Sequence, residues 1–147
     1  MNFIIYLSLL MVDIKCMMSL ENIYNRFTNK KECVEYLEYL RWNNNPFCPY
    51  CNSKHFTQLK ENNRYHCNTC NTSYSVTVDT IFHKTRIDLQ KWFYAIHLIT
   101  KFNPKISSRE LAKEIKTTKD TSWRLINEVK KALTTQDSLL KKIIEND

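Results

Sequence analysis

Four of the six cysteines fall into two matched pairs, Cys48-x-x-Cys51 and Cys67-x-x-Cys70, with fifteen residues between the pairs. Two residues between cysteines let both sulfurs of a knuckle reach one ion, and Zn²⁺ takes four thiolates as a tetrahedron at about 2.3 Å. The spacing predicts one zinc ion bound by Cys48, Cys51, Cys67 and Cys70, with a β-hairpin bringing the two knuckles together as a zinc ribbon. Closure by sulfur leaves no open coordination position, so the metal is expected to be structural, contributing on the order of 10 kcal/mol to folding. Redox chemistry is the rival use of these thiols, but a thioredoxin-like site needs a single pair in a βαβ context. His55 and His66 lie close by and read as strand or surface residues. Cys33 sits on the apolar face of a predicted helix and reads as a small core residue.

The knuckles impose a second demand. The chain turns sharply after the second cysteine of each, usually through a left-handed residue, and glycine is the ordinary choice. This chain has no glycine. Asn52 follows Cys51 and Asn71 follows Cys70, and asparagine is the best non-glycine occupant of that conformation. With fifteen asparagines in 147 residues, the composition permits such turns throughout.

Around the cysteines the pattern alternates between helix and strand periods. Thr28 to Trp42 reads as a helix capped by Thr28, with Cys33, Tyr36, Leu37 and Leu40 on one face and Asn43-Asn44-Asn45-Pro46 as its stop. Short β-type runs follow at 55–60, 64–67 and 73–78, the last alternating as a half-buried strand does. Asp88 opens a helix from Leu89 to Phe102 with Leu89, Trp92, Phe93, Ile96 and Ile99 along one face, ended by Asn103-Pro104. Two more helices are predicted at 107–115 and 119–133. The expected fold class is α+β: a small three-stranded zinc ribbon combined with a helical helix-turn-helix module. The expected organisation is an apolar N-terminal extension (1–21), a helix plus ribbon (22–82), the helical module (83–133) and a tail (134–147) with no assigned element.

Charge singles out the helical module. Residues 1–82 carry eight Lys/Arg against seven Asp/Glu, residues 83–131 twelve against five, and residues 132–147 two against three. A basic surplus of this kind is the footprint of phosphate-backbone contact. Within it, Ser107-x-x-Glu110 matches a capping box, and Lys116-Thr117-Thr118 makes a turn in which Thr118 caps the next helix. Trp123, Ile126, Val129 and Leu133 are expected on that helix's inward face, and Lys119, Asp120, Ser122 and Arg124 outside. A DNA-reading helix-turn-helix has this layout, its second helix entering the major groove by its N-terminal residues. Arg124, accompanied by Ser122, is the candidate for a bidentate guanine contact. Lys105, Arg109, Lys116, Lys130 and Lys131 suit phosphate contacts, and Lys119 is counted with them among the DNA-binding residues. The competing class is a protein–protein adaptor whose helices serve dimerisation.

The apolar run from Phe3 to Val12 is too short to span a bilayer and lacks the flanks of a signal peptide. Met17 or Met18 is an alternative start. No membrane partner is expected, and no secretory context supports disulfides.

Taken in order, these residues resemble the zinc-ribbon N-terminal region of insertion-sequence transposases, including the Merlin-like group. The resemblance rests on Cys33-x-x-Tyr36-Leu37, Leu40-Arg41-Trp42, Cys48-Pro49-x-Cys51, Tyr65-x-Cys67-x-x-Cys70 and Ser75-Val76-Thr77-x-x-Thr80-Ile81-Phe82. It continues through Lys91-Trp92-Phe93 and Ala95-Ile96 to Glu110-Leu111-Ala112 and Thr121-x-Trp123-Arg124. The family carries glycine where Asn52, Asn71 and Asp79 stand here. The resemblance implies recognition of double-stranded transposon-end DNA, in a bacterial cytoplasm or a eukaryotic nucleus, by a homodimer or beside a full-length transposase. Family members continue into an RNase H-like domain whose acidic residues cut and join DNA with Mg²⁺. Ile143 to Asp147 resembles the start of that domain's first strand, with Asp147 in the first acidic position. The expectation is therefore a truncated transposase that binds DNA ends without catalysis.

Overall fold

Helix α1 (Lys30–Trp42) begins one residue later than Thr28 capping requires, because Asn29 takes the N-cap: its side chain accepts the Glu32 amide at 3.0 Å. Glu32 reaches back to the Thr28 amide at 2.7 Å, completing a reciprocal cap. The helix stops as expected, with Asn43 and Asn44 left-handed at φ 47° and 63°. This computed structural model describes residues 21–61 and 63–146. The apolar extension up to residue 20, Cys16 and both alternative starts lie outside the described residues, as does Asp147.

The ribbon is a three-stranded antiparallel sheet in the order β1 (Phe56–Leu59), β2 (Arg64–Cys67) and β3 (Ser73–Tyr74). β3 is shorter than the alternating run 73–78 implied. Burial does alternate, with Tyr74, Val76 and Val78 inside, but among the described residues no strand pairs with the backbone beyond Tyr74. Arg41 takes it instead: its guanidinium donates to the carbonyls of Val76 and Val78, each at 2.7 Å. Period-two burial therefore holds along 73–78 without ladder pairing beyond Tyr74. Trp42 packs beside Arg41, edge-on to both Tyr65 and Tyr74, and Tyr65 donates to Glu38 at 3.0 Å. Helix α1 is thus riveted to the sheet.

Residues 75–88 run as successive tight turns, with Asp79 and Lys84 left-handed at φ 58° and 55°, and lead into α2 (Leu89–His97). The expected face of α2 is buried, but so are Tyr94, Ala95, His97 and Leu98, so this helix is enclosed rather than amphipathic. Its last turn, Leu98–Phe102, widens to a π-type turn closed by the Asn103 amide on the Leu98 carbonyl at 2.8 Å. Phe27 contacts both Tyr36 of α1 and Phe93 of α2 at ring separations of 5.0 and 4.9 Å. One hydrophobic core runs from Ile23 to Ile143 through the ribbon and the helices.

Helix α3 (Ser108–Glu114) carries the predicted capping box on Ser107, and α4 (Lys119–Thr134) starts at Thr118, whose side chain accepts the Thr121 amide. The tail departs from expectation. Residues 138–146 form a helix, α5 (Ser138–Asn146), which buries Leu139, Leu140 and Ile143 and sends Lys142 to the Leu40 carbonyl of α1 at 2.9 Å. The spacing of those three residues is helical, and the surface of α1 rewards it, so a strand beginning at Ile143 is ruled out.

Candidate metal centre and cationic helix pair

Each knuckle closes on itself by backbone bonds: the Cys48 amide to Ser53 at 2.9 Å, the Asn52 amide to Cys48 at 2.8 Å, and the Cys67 amide to Thr72 at 2.9 Å. Asn52 and Asn71 take φ 58° and 55°, as the missing glycines required. The hairpin then holds the knuckles face to face. The Ser53 and Thr69 hydroxyls meet at 2.7 Å across them, and the Asn68 amide donates to the His55 carbonyl at 3.0 Å.

This frame gathers the four sulfurs within 4.8 Å of one another. Cys48 and Cys70 stand 3.6 Å apart and Cys51 and Cys67 3.5 Å. A tetrahedron of Zn–S bonds has sulfur–sulfur edges of about 3.8 Å, so these residues fit one Zn²⁺. His55 is exposed, and neither it nor His66 belongs to the cluster.

The local field prepares part of this site for a cation. Amides of Cys70 and Thr69 aim at the Cys67 sulfur, and the Cys67 thiol is lowered to about 6. Cys70 is also lowered, first by the Thr72 hydroxyl. At Cys51 the Ser53 amide favours the thiolate, yet desolvation and the other three sulfurs outweigh it and push the thiol up to about 12. Four thiolates at these separations repel one another, and only a shared cation lets all four ionise. Buried Tyr74, beneath them, is held neutral, pushed up to about 12 by burial and then by the sulfurs. Cys33, remote from the cluster, is fully buried and raised to about 11 by burial; it is a core residue, as its helical position implied.

Residues 28–73 match the model of the transposase zinc-ribbon domain. The ribbon is thus similar to the zinc ribbon of transposases. The chain is also similar to an uncharacterized protein of the transposable element ISH50 from Halobacterium salinarum, 26% identical over 110 residues. That similarity covers 73% of this chain, and the chain spans 37% of the length of that relative. No solved structure matches it. The domain match ends at Ser73 and does not reach the helices that follow the ribbon.

In those helices and the turns beside them, Lys105, Arg109, Lys116, Lys119, Arg124, Lys130 and Lys131 are all exposed. Among the described residues no ion pair engages any of them; the pairs present are Lys31–Glu35, His83–Asp79 and Lys141–Glu145. Three residues of α4 depart from expectation. Ser122 is fully buried, its hydroxyl 2.8 Å from that of Thr117, so it locks the turn between α3 and α4 and faces no solvent. Trp123, expected inside, is 59% exposed, and Leu133 is 44% exposed. The inward stripe of α4 is Ser122, Leu125, Ile126, Val129 and Ala132. A hydrophobicity scale puts tryptophan inside and serine outside; one step of helical phase reverses both. No helix among the described residues is long and apolar enough to cross a membrane.

Proposed function

We propose that this chain binds double-stranded transposon-end DNA through the α3–α4 pair, read as a helix-turn-helix, with the zinc ribbon as its brace. The observation that carries the proposal is the unpaired cationic surface around α4, set beside a ribbon similar to that of transposases. Lys119 and Arg124 stand in the first two turns of α4, where a recognition helix meets base edges. Arg124 is assigned a guanine contact; Lys105, Arg109, Lys116, Lys119, Lys130 and Lys131 are assigned phosphates. Trp123 stands exposed between them and replaces Ser122 as the companion of Arg124, its apolar face suited to a thymine methyl. A metal held by four thiolates offers no position to water or a phosphate oxygen, so the centre braces and does not cut. The proposal for these 147 residues is therefore end binding, as a homodimer or beside a longer relative, without strand transfer.

Fluorescence anisotropy on a duplex bearing the element's terminal repeat tests the reading. Arg124→Ala should cost about 1–3 kcal/mol and relax preference at one base pair, while Lys130→Ala should weaken all sequences alike and flatten the salt dependence by about one contact. Exposed Trp123 and Leu133 also suit a protein–protein adaptor. Binding that ignores salt, or that fails to prefer the terminal repeat over a scrambled duplex, decides for the adaptor. Strand-transfer product from these residues with Mg²⁺ overturns binding without cutting.

A further inference from the structure

A broad concavity lies outside both the sulfur cluster and the exposed face of α4, with Tyr50 of the first knuckle at its edge. It is an open groove of about 790 Å³ between the sheet, the start of α1 and the turn-rich segment that feeds α2. Lys30, Arg64, Lys84 and Arg86 line it, against a single carboxylate, Asp88. All four cations are exposed, and among the described residues none is in an ion pair. Tyr50, 54% exposed, stands at the same groove.

The groove's shape follows from features already described. Arg41 holds the Val76 and Val78 carbonyls from behind, and the left-handed turns at Asp79 and Lys84 bring the chain back along the sheet. The lining ends at Gln90, and the next residue, Lys91, donates to the Lys116 carbonyl at 3.2 Å in the turn between α3 and α4. Lys91 thus joins the segment that ends the groove lining to the turn between α3 and α4. Four unpaired cations along an open polar groove match the repeating single charges of a phosphodiester backbone better than any compact anion.

We propose that this groove is a second DNA contact, holding the backbone of the duplex beside the segment read by α4. The proposal rests on the DNA-binding reading above and adds a surface on the ribbon side. To test it, Arg64→Gln, Lys84→Asn and Arg86→Gln are combined; asparagine is chosen at 84 because φ there is positive. Zinc content of one ion per chain reports that the ribbon is intact. At about 0.9 per phosphate contact, the slope of log K against log salt should flatten by about 2.7, with preference for the terminal repeat retained. Lysine acetylation of the unmodified protein gives a measurement independent of folding: duplex DNA should shield Lys30 and Lys84 several-fold and leave Lys54, outside the groove, unchanged. If the native chain binds no DNA, the reading of function fails. If it binds, but the triple variant keeps its slope and Lys30 and Lys84 stay unshielded, the groove proposal alone fails.

Discussion

The ribbon and the helical module solve the same folding problem with opposite means. In α2 and the π-type turn after it, eight consecutive residues from Trp92 to Ile99 are buried, and α4 adds five more along one stripe. Strand β1, by contrast, is exposed from Thr57 to Leu59, and the hairpin buries little besides Tyr65, Tyr74, Cys48 and Cys67. A sheet of ten paired residues with so small an apolar face is too slight to stand alone in water. The helices stay folded by area removed from water; the knuckles need a bond to a metal. The lesson is that metal and core are interchangeable sources of stability, and that removing one should be felt mainly where the other is thin. Arg41, Trp42 and Phe27 limit the separation, since they join the two regions in one core.

The largest expected effect comes from the metal. Chelation, or Cys67→Ser, should remove on the order of 10 kcal/mol from the ribbon. Hydrogen exchange should show amides of β1 and β2 unprotected while those of α2 and α4 persist. Uniform loss across the chain would break the comparison. The same experiment has a pH axis. In the folded ribbon the Cys67 thiol is depressed to about 6 from an ordinary value of 9.0. Its contribution to stability is therefore fully present above the ordinary value and is lost as pH falls through about 6. Zinc must also displace the proton of Cys51, so apparent zinc affinity should fall as the solution is acidified, seen by competition with a chelating dye.

Next in size is the matching change in the helical core. Leu125→Ala, at a position 1% exposed, should cost about 2–5 kcal/mol through lost burial and the cavity left behind. Thermal unfolding measures it, and zinc content should stay at one ion per chain. Loss of zinc on this substitution would mean that the ribbon leans on the helices more than on its metal.

The smallest expected effect sharpens the comparison within the ribbon. Asn52→Gly and Asn71→Gly relieve left-handed backbone at both knuckles, but glycine also raises the entropy of the unfolded chain. The net change should lie within about 0.5 kcal/mol with zinc bound, read by chemical denaturation. A large gain would show that the knuckles are strained by their asparagines.

Features that depend on neighbours a few residues apart are legible in the amino-acid order alone. The C-x-x-C pairs name their metal because a knuckle is local. Ser107, Thr118 and Asn43 mark helix ends because caps act within one turn, and the asparagines after Cys51 and Cys70 had to be left-handed because no glycine was there to take the turn. Tertiary structure decided what depends on a partner surface. The run 73–78 kept its alternation but lost its pairing to Arg41, a residue 35 positions away at Val76. The tail became α5 because Leu40 and its neighbours on α1 were there to receive it, and Trp123 turned outward because the phase of α4 is set by Leu125, Ile126 and Val129 against the core. The basic groove was illegible for the same reason: Lys30, Arg64 and Lys84 are scattered along the chain, and only folding makes them one charged surface.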